Sequence, residues 1–228
     1  MGKKITITID GPAGAGKSTV SKNLAEQLEY VYVDTGALYR GVALEVKRAD
    51  IDYNDEEKLL KLLNEIDIDC KMENSTFKLL SNGIDISGEI RTPEISMLAS
   101  AVSALPEVRS ALLGIQKDIS VKHNSIFEGR DMGTVVFPDA DFKFFMIADL
   151  KIRAERRYKE LAPVKEDKAL GNSDIYLKIH DDIKKRDHDD STRKESPLKP
   201  AEDAIIIDST DLNIMQVVEK IRKNIIIT

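Results

Sequence analysis

The sequence predicts an α/β fold: a five-stranded, mainly parallel sheet covered by helices, with a small antiparallel insertion and a short lid. Three observations predict it. Short apolar, β-branched runs alternate with segments whose apolar residues recur every three or four positions. The first of those runs ends in a glycine-rich turn that leads into an amphipathic segment. One stretch, about residues 66–90, leaves that rhythm for alternation in short pieces. With 228 residues and 42% hydrophobic content, the chain has apolar material for one domain carrying a substantial insertion.

In chain order, Ile5, Ile7 and Ile9 alternate with threonines and end at Asp10, a strand running into glycines. Val20, Leu24 and Leu28 line one face of the first helix, and Val31 to Val33 reads as a second strand. Between Ile66 and Ile90 the pieces IDIDCKM, STFKLLS and IDISGEI are separated by Asn74-Ser75 and Asn82-Gly83. Asn-Gly between alternating segments is the strongest short-range hairpin signal, so an antiparallel meander is expected there. Thr92 can cap, and Pro93 can start, a helix running to about Ala104. Pro106 opens the next, with Val108, Leu112, Ile115 and Ile119 on one face. Ser125–Phe127, Phe142–Ile147 and Ala204–Ile207 supply the remaining strands, and Ile214, Val217, Val218 and Ile221 the last helix. The polar segment ELAPVKEDKALGNS, residues 160–173, fits either a mobile lid or a surface loop. Residues 1–40 and 105–228 are expected to form the core, with the lid over about 153–173, and residues 41–104 the insertion.

Composition excludes several functions. The 34 basic residues against 40 acidic ones leave a net charge of −6, which disfavours broad binding to nucleic acid or an anionic membrane. Aromatics are 5% of the chain and Trp is absent, against base recognition by several stacked rings. The single cysteine, Cys70, excludes an internal disulfide and a cysteine-built zinc site, and fits a reducing compartment. No run approaches the ~18 apolar residues of a membrane helix. Met1 to Lys4 leads straight into a strand pattern, so no secretion signal is expected. A cytoplasmic protein acting on small molecules as a monomer is the expectation.

Gly11-Pro12-Ala13-Gly14-Ala15-Gly16-Lys17-Ser18 matches G-x-x-x-x-G-K-[ST], with a strand before it and an amphipathic helix after it. Successive glycines let the backbone close into a nest of amides that point at phosphate oxygens, and the helix adds its positive end. Lys17 can reach the β and γ phosphates, and the Ser18 hydroxyl can coordinate Mg²⁺. Such a cradle serves switches, motors and small-molecule kinases alike. No guanine-reading N-K-x-D and no D-x-x-G switch element after a strand is found, and Glu128, after Ser-Ile-Phe, is the only tempting acidic candidate for a motor's second strand. A small core with an insertion and a lid suits transfer between two small molecules, where water must be kept out.

Asp34-Thr35-Gly36-Ala37-Leu38-Tyr39-Arg40 follows the second strand, where ligands sit in open α/β sheets, and Arg40 can hold an acceptor phosphate. A helix cap with a surface arginine is the plainer alternative. Glu128-Gly129-Arg130-Asp131-Met132-Gly133-Thr134 follows the third core strand. It reads as an arginine for phosphate and a carboxylate for a base amino group, or as a salt-bridged turn. Arg186, Asp190 and Arg193 share a helical face at i, i+4 and i+7, and Arg153, Arg156 and Arg157 cluster before the lid. A solvated charged face explains most such runs, but beside a phosphate cradle arginines can neutralise a transferring phosphoryl group.

The succession GPAGAGKST, DTGALYRG, SGEIRTPEIS, VSALPEVRSALL, EGRDMGTVVFPDADFKFF, RDHDDSTR and PLKPAEDAIIIDST resembles the bacterial cytidylate kinases over nearly the whole chain. The resemblance implies a phosphate-loop kinase core with a lid and an enlarged monophosphate-binding insertion. It implies transfer of the γ-phosphate of ATP to CMP or dCMP with Mg²⁺. It places Gly11 to Thr19 on the ATP phosphates, and Ser100, Arg109 and Asp131 on the cytosine edge. Arg40 and Arg130 fall on the acceptor phosphate, Arg186 and Asp190 on the sugar, and Arg193 close to the phosphates. Thr35 and Tyr39 belong to the acceptor-side motif, with Thr35 where serine is common in the family. Arg153 and Arg157 match the lid arginines, though Arg156 competes for that role. A carboxylate accepts from the cytosine amino group but would face the O4 carbonyl of uracil, a mismatch of ~1–3 kcal/mol or more. A UMP, shikimate or gluconate kinase, or a non-catalytic nucleotide switch, are the alternative functions.

Overall fold

The computed structural model describes residues 3–73, 76–161 and 174–226. The first half of the chain runs β1 (Thr6–Asp10), α1 (Lys17–Leu28), β2 (Val31–Asp34), α2 (Thr35–Arg48), α3 (Glu56–Glu65), β3 (Ile68–Glu73), β4 (Thr76–Ser81), β5 (Ile84–Asp85) and α4 (Pro93–Val102). Then come α5 (Pro106–Lys122), β6 (Ser125–Gly129), β7 (Phe142–Ile147), α6 (Leu150–Leu161), α7 (Asp174–Thr192), β8 (Ile205–Asp208) and α8 (Ile214–Arg222).

Five strands form one sheet in the order β2-β6-β1-β7-β8. Every pairing in it is parallel, so each connection is a crossover. All five residues of β1 and of β6 are buried, as central strands of a sheet covered on both faces must be. Ile7, Ile9, Ile126 and Phe144 face α1 and α8, packing against Val20, Leu24, Val217, Val218 and Ile221. Side chains alternate along a strand, so Val33 and Phe127 face the other way, against Met132, Val136 and Phe137. Each large side chain buried this way contributes about 1.5–3 kcal/mol.

The expected meander is the second sheet, β3-β4-β5, antiparallel throughout. Asn82 (φ 50°) and Gly83 (φ 79°) both take the positive φ of a two-residue hairpin turn joining Ser81 to Ile84. Leu79 and Ile86 of this region pack against Leu38, Val42 and Val46 of α2. Thr92 caps α4 through the Ile95 amide, with Pro93 at its start. That helix stops at Val102, short of Ala104, because Pro106 holds Leu105 extended (φ −87°, ψ 125°). The Asn74-Ser75 turn and residues 162–173 of the expected lid lie outside the described residues. β1, β2 and β6 end along one edge of the sheet, and the three sequence motifs continue from those ends.

Candidate active site

The glycine-rich loop is built by backbone. Six residues, Gly11 to Gly16, connect β1 to α1. A Cβ on Gly11 (φ 145°) would stand 2.1 Å from the Met146 carbonyl oxygen of β7, so only glycine passes there. Gly16 caps α1 with no side-chain hydrogen bond, leaving its first-turn amides for a ligand. Struts from distant elements hold the loop. The Ala13 amide donates to Asp187 Oδ1 (3.2 Å), and the Ala13 carbonyl accepts from Arg153 Nη1 (2.9 Å). The Ala15 carbonyl accepts from Ser209 Oγ (3.2 Å). Lys17, 4% exposed, donates from Nζ to the Pro12 carbonyl across the loop (2.7 Å). Burial, helped by the charge of Arg130, pushes its ammonium from 10.5 down to about 7. A cation so depressed is one that a polyphosphate would re-protonate.

At the mouth of the cradle Ser18 Oγ donates to Glu128 Oε1 (2.8 Å), and the Tyr32 hydroxyl donates to Oε2 (2.6 Å). Burial and the neighbouring Glu128 push the Tyr32 phenol well above its ordinary value, so it stays a donor. A hydroxyl and a carboxylate beside a phosphate cradle are hard oxygen ligands that fit Mg²⁺, which keeps several waters and takes the rest from phosphate. No cluster of three or more His, Cys, Asp or Glu suited to a metal occurs among the described residues, so this is no all-protein metal cage.

The region beyond the loop is built by charge. Thr35 donates to the Glu128 carbonyl (2.6 Å), locking the start of α2 to the end of β6. Asp34 caps α2 through the Ala37 amide and holds Arg40 Nη2 at 2.8 Å. Asp34 is thus the helix cap, while Arg40 is no surface arginine: it pairs with Asp34, and its Nε is buried without a hydrogen-bond partner among the described residues. Asp131 is 2% exposed, hydrogen-bonded by Arg109 and faced by Arg193 Nη2 at 3.8 Å. Burial raises its pKa against the opposing pull of the two arginines. Arg109 also donates to the Ser103 carbonyl (3.1 Å) and lies 5.8 Å from the ring centre of Tyr39, which is itself buried. Arg130 Nε donates to Asp190 Oδ2 (2.9 Å), and Arg186 and Arg193 stand 4.0 and 3.9 Å from the same carboxyl group. Burial alone would raise Asp190, but the three arginines outweigh it and hold it below the carboxylate range. Arg186 is lowered to about 10, by burial first and then by Arg130. Its Nε and the Arg193 Nη2 also lack a hydrogen-bond partner among the described residues. Guanidinium N–H groups of this kind are donors suited to anions.

Ser100 lies on α4, half-buried, its carbonyl accepting from the Ser103 hydroxyl. Of the α6 arginines, Arg153 is the one the fold brings to the cradle; its Nε also donates to the Ala148 carbonyl (2.9 Å). Arg156 binds the Ser209 carbonyl (2.6 Å), and Arg157 pairs with Glu160 (2.9 Å) at the surface. Thr19, on α1, is exposed. Sequence reasoning missed Asp187, Tyr32 and Asp10, and weighed Glu128 only as a motor's acid. Asp187 had a signal in standing beside Arg186, and Asp10 in closing a strand directly before the first glycine.

A phosphate cradle and, beyond it, a cluster of partly buried arginines around two buried carboxylates fit the class of phosphate-loop kinases. Comparison with known proteins narrows the class. A family model described as cytidylate kinase matches residues 7–226. The cytidylate kinase of Caldicellulosiruptor saccharolyticus is 47% identical, with 96% of this chain and 94% of that protein covered. The cytidylate kinase of Caldanaerobacter subterraneus subsp. tengcongensis is 48% identical, with 96% of each covered. The chain belongs to the cytidylate kinase family, whose members pass the γ-phosphate of ATP to CMP or dCMP. It is a nucleoside monophosphate kinase.

Proposed function

We propose that the two halves of the site divide this reaction between them. The nest Gly11–Thr19 takes the ATP phosphates, and the pocket of Thr35, Tyr39, Arg40, Ser100, Arg109, Arg130, Asp131, Arg186, Asp190 and Arg193 takes CMP or dCMP. The observation that carries this reading is Asp131: a carboxylate buried beyond the cradle, with Arg109 and Arg193 beside it. Cytosine offers an amino donor to a carboxylate, and its O2 and N3 accept from arginine or hydroxyl. Uracil presents O4 instead, leaving the buried charge poorly paired.

The acceptor phosphate is already an anion, so no strong base and no covalent enzyme intermediate is needed; catalysis is alignment in line plus neutralisation. Lys17, Arg130 and Arg153 supply positive charge around the transferred group. Arg157, at the surface beside Glu160, would join them only if the segment after α6 closes. Mg²⁺ brought with ATP would supply further charge neutralisation, held by Ser18 with Glu128 beside it. The insertion, residues 41–104, begins inside α2 and packs its sheet on that helix. Movement of α2 would therefore carry it over the acceptor. We further propose that the chain works as a cytoplasmic monomer on these small molecules, without nucleic acid or membrane. The net charge of −6 supports this for polyanionic partners. A coupled ADP-release assay with ATP and each of CMP, dCMP, UMP and AMP tests the reading. CMP or dCMP should be the best acceptor, and faster turnover of UMP than of either would overturn it.

A further inference from the structure

The chain that follows β6 does not enter an ordinary helix. After Asp131 it winds one wide turn: the Val136 amide reaches back to the Asp131 carbonyl (3.3 Å) and the Phe137 amide to the Met132 carbonyl (2.6 Å). Such five-residue spacing is rare, occurs as single turns, and concentrates at functional sites. Its leading amides need acceptors from outside the turn. One side chain supplies both: the Met132 amide donates to Asp10 Oδ1 (3.0 Å) and the Gly133 amide to Asp10 Oδ2 (2.8 Å). The turn lies tight against β1. A Cβ on Gly133 would meet Thr8 Oγ1 at 2.9 Å and Asp10 Oδ2 at 3.4 Å.

Asp10 is itself immobile. It ends the central strand, paired across to Gly129 of β6 and Phe145 of β7, and is 4% exposed. The next residue is Gly11, wedged against the Met146 carbonyl at the start of the phosphate cradle. One carboxyl group thus joins the strand that launches the donor loop to the turn immediately after Arg130-Asp131. Only a carboxylate accepts both amides, because asparagine has one acceptor oxygen and turns an NH₂ toward the second N–H.

We propose that Asp10 is a positioning residue for base recognition, holding Asp131 at the distance and angle from the phosphate cradle that cytosine requires. It touches neither nucleotide and acts through the Met132–Gly133 amides. The inference rests on Asp131 as the cytosine-reading group, so the two must be tested side by side. Steady-state kinetics with CMP and UMP, and direct ATP binding by calorimetry, are measured for Asp10→Asn, Asp131→Ala and the parent chain. Asp10→Asn is expected to raise the KM for CMP tenfold or more and to lower the CMP:UMP ratio of kcat/KM at least tenfold, with ATP affinity within threefold of the parent. A purely structural residue would instead depress both substrates together and leave the ratio unchanged, and that result overturns the proposal. If Asp131→Ala abolishes discrimination while Asp10→Asn preserves it, the proposal about Asp10 fails and the reading of Asp131 stands. If Asp131→Ala itself leaves the ratio intact, the reading of Asp131 fails. Should Asp10→Asn not fold, Gly133→Ala decides, since its added Cβ presses the same turn against Thr8 and Asp10 of β1. Lost discrimination with retained ATP binding supports the proposal, and a parent-like ratio overturns it.

Discussion

The proposed donor and acceptor halves of the site would solve the same problem, holding an anion, by opposite means. The cradle from Gly11 to Gly16 uses backbone amides, a Gly11 that nothing larger can replace, and one buried lysine. The proposed acceptor side uses side chains from α2, where Arg40 pairs with Asp34, and from α5, the turn after β6 and the end of α7, which are tied together through Asp131 and Asp190. Backbone cannot distinguish one phosphate chain from another, so the donor half is rigid and general. Side chains can read a base edge and can separate when elements move, so the acceptor half is specific. The difference teaches that selectivity in this protein should be alterable without disturbing ATP.

The largest effect should come from breaking the donor half. Lys17→Met removes the buried ammonium that bridges the loop, and kcat should fall by about 10³-fold while CMP binding survives. Rapid-quench phosphoryl transfer together with CMP calorimetry checks this, and equal loss of both would mean that the two halves fold as one. Next comes Asp131→Ala, expected to cut kcat/KM for CMP by about 10²-fold, with ATP affinity nearly unchanged. A parallel loss in ATP affinity would make Asp131 structural.

A smaller effect follows from the lysine's protonation. Lys17 sits at about 7 in the free protein, so at pH 8 it is mostly neutral, and a bound triphosphate would raise it again. ATP binding at pH 8 should therefore take up a proton, and ATP affinity should weaken as pH rises from 7 to 9. Calorimetry in two buffers of different ionisation enthalpy counts that proton; proton release on binding would contradict the sign. The smallest effect is at the surface. Arg157→Ala should change stability by under about 1 kcal/mol, since its partner Glu160 is exposed too, which a thermal melt reads directly. A thousandfold loss of kcat in the same variant would bring Arg157 into the closed site beside Arg153.

The same contrast explains what could be read from the sequence. Local devices were legible. The cradle is contiguous, the Asn82-Gly83 turn names its own geometry, and Thr92-Pro93 marks a helix start. The parallel sheet followed from alternation of strand and helix patterns, with β8 displaced by one residue from the expected Ala204–Ile207. What stayed illegible depends on contacts across the chain. Arg153, Arg156 and Arg157 are equivalent in sequence, and only the approach of Asp187 on α7 and Ser209 after β8 separates them. The wide turn after Asp131 is invisible for the same reason: its acceptor, Asp10, lies more than a hundred residues away. The β-branched Val135 and Val136 give no helical signal of their own.

The most direct test of the account is a crystal structure with a bisubstrate ligand that joins adenosine to cytidine through phosphates. The phosphates nearest adenosine should lie on the amides of Gly14 to Ser18, and the cytosine amino nitrogen should stand about 3 Å from an Asp131 carboxylate oxygen. A pyrimidine ring bound away from Asp131, with the cradle filled as expected, would contradict the division of labour between the two halves.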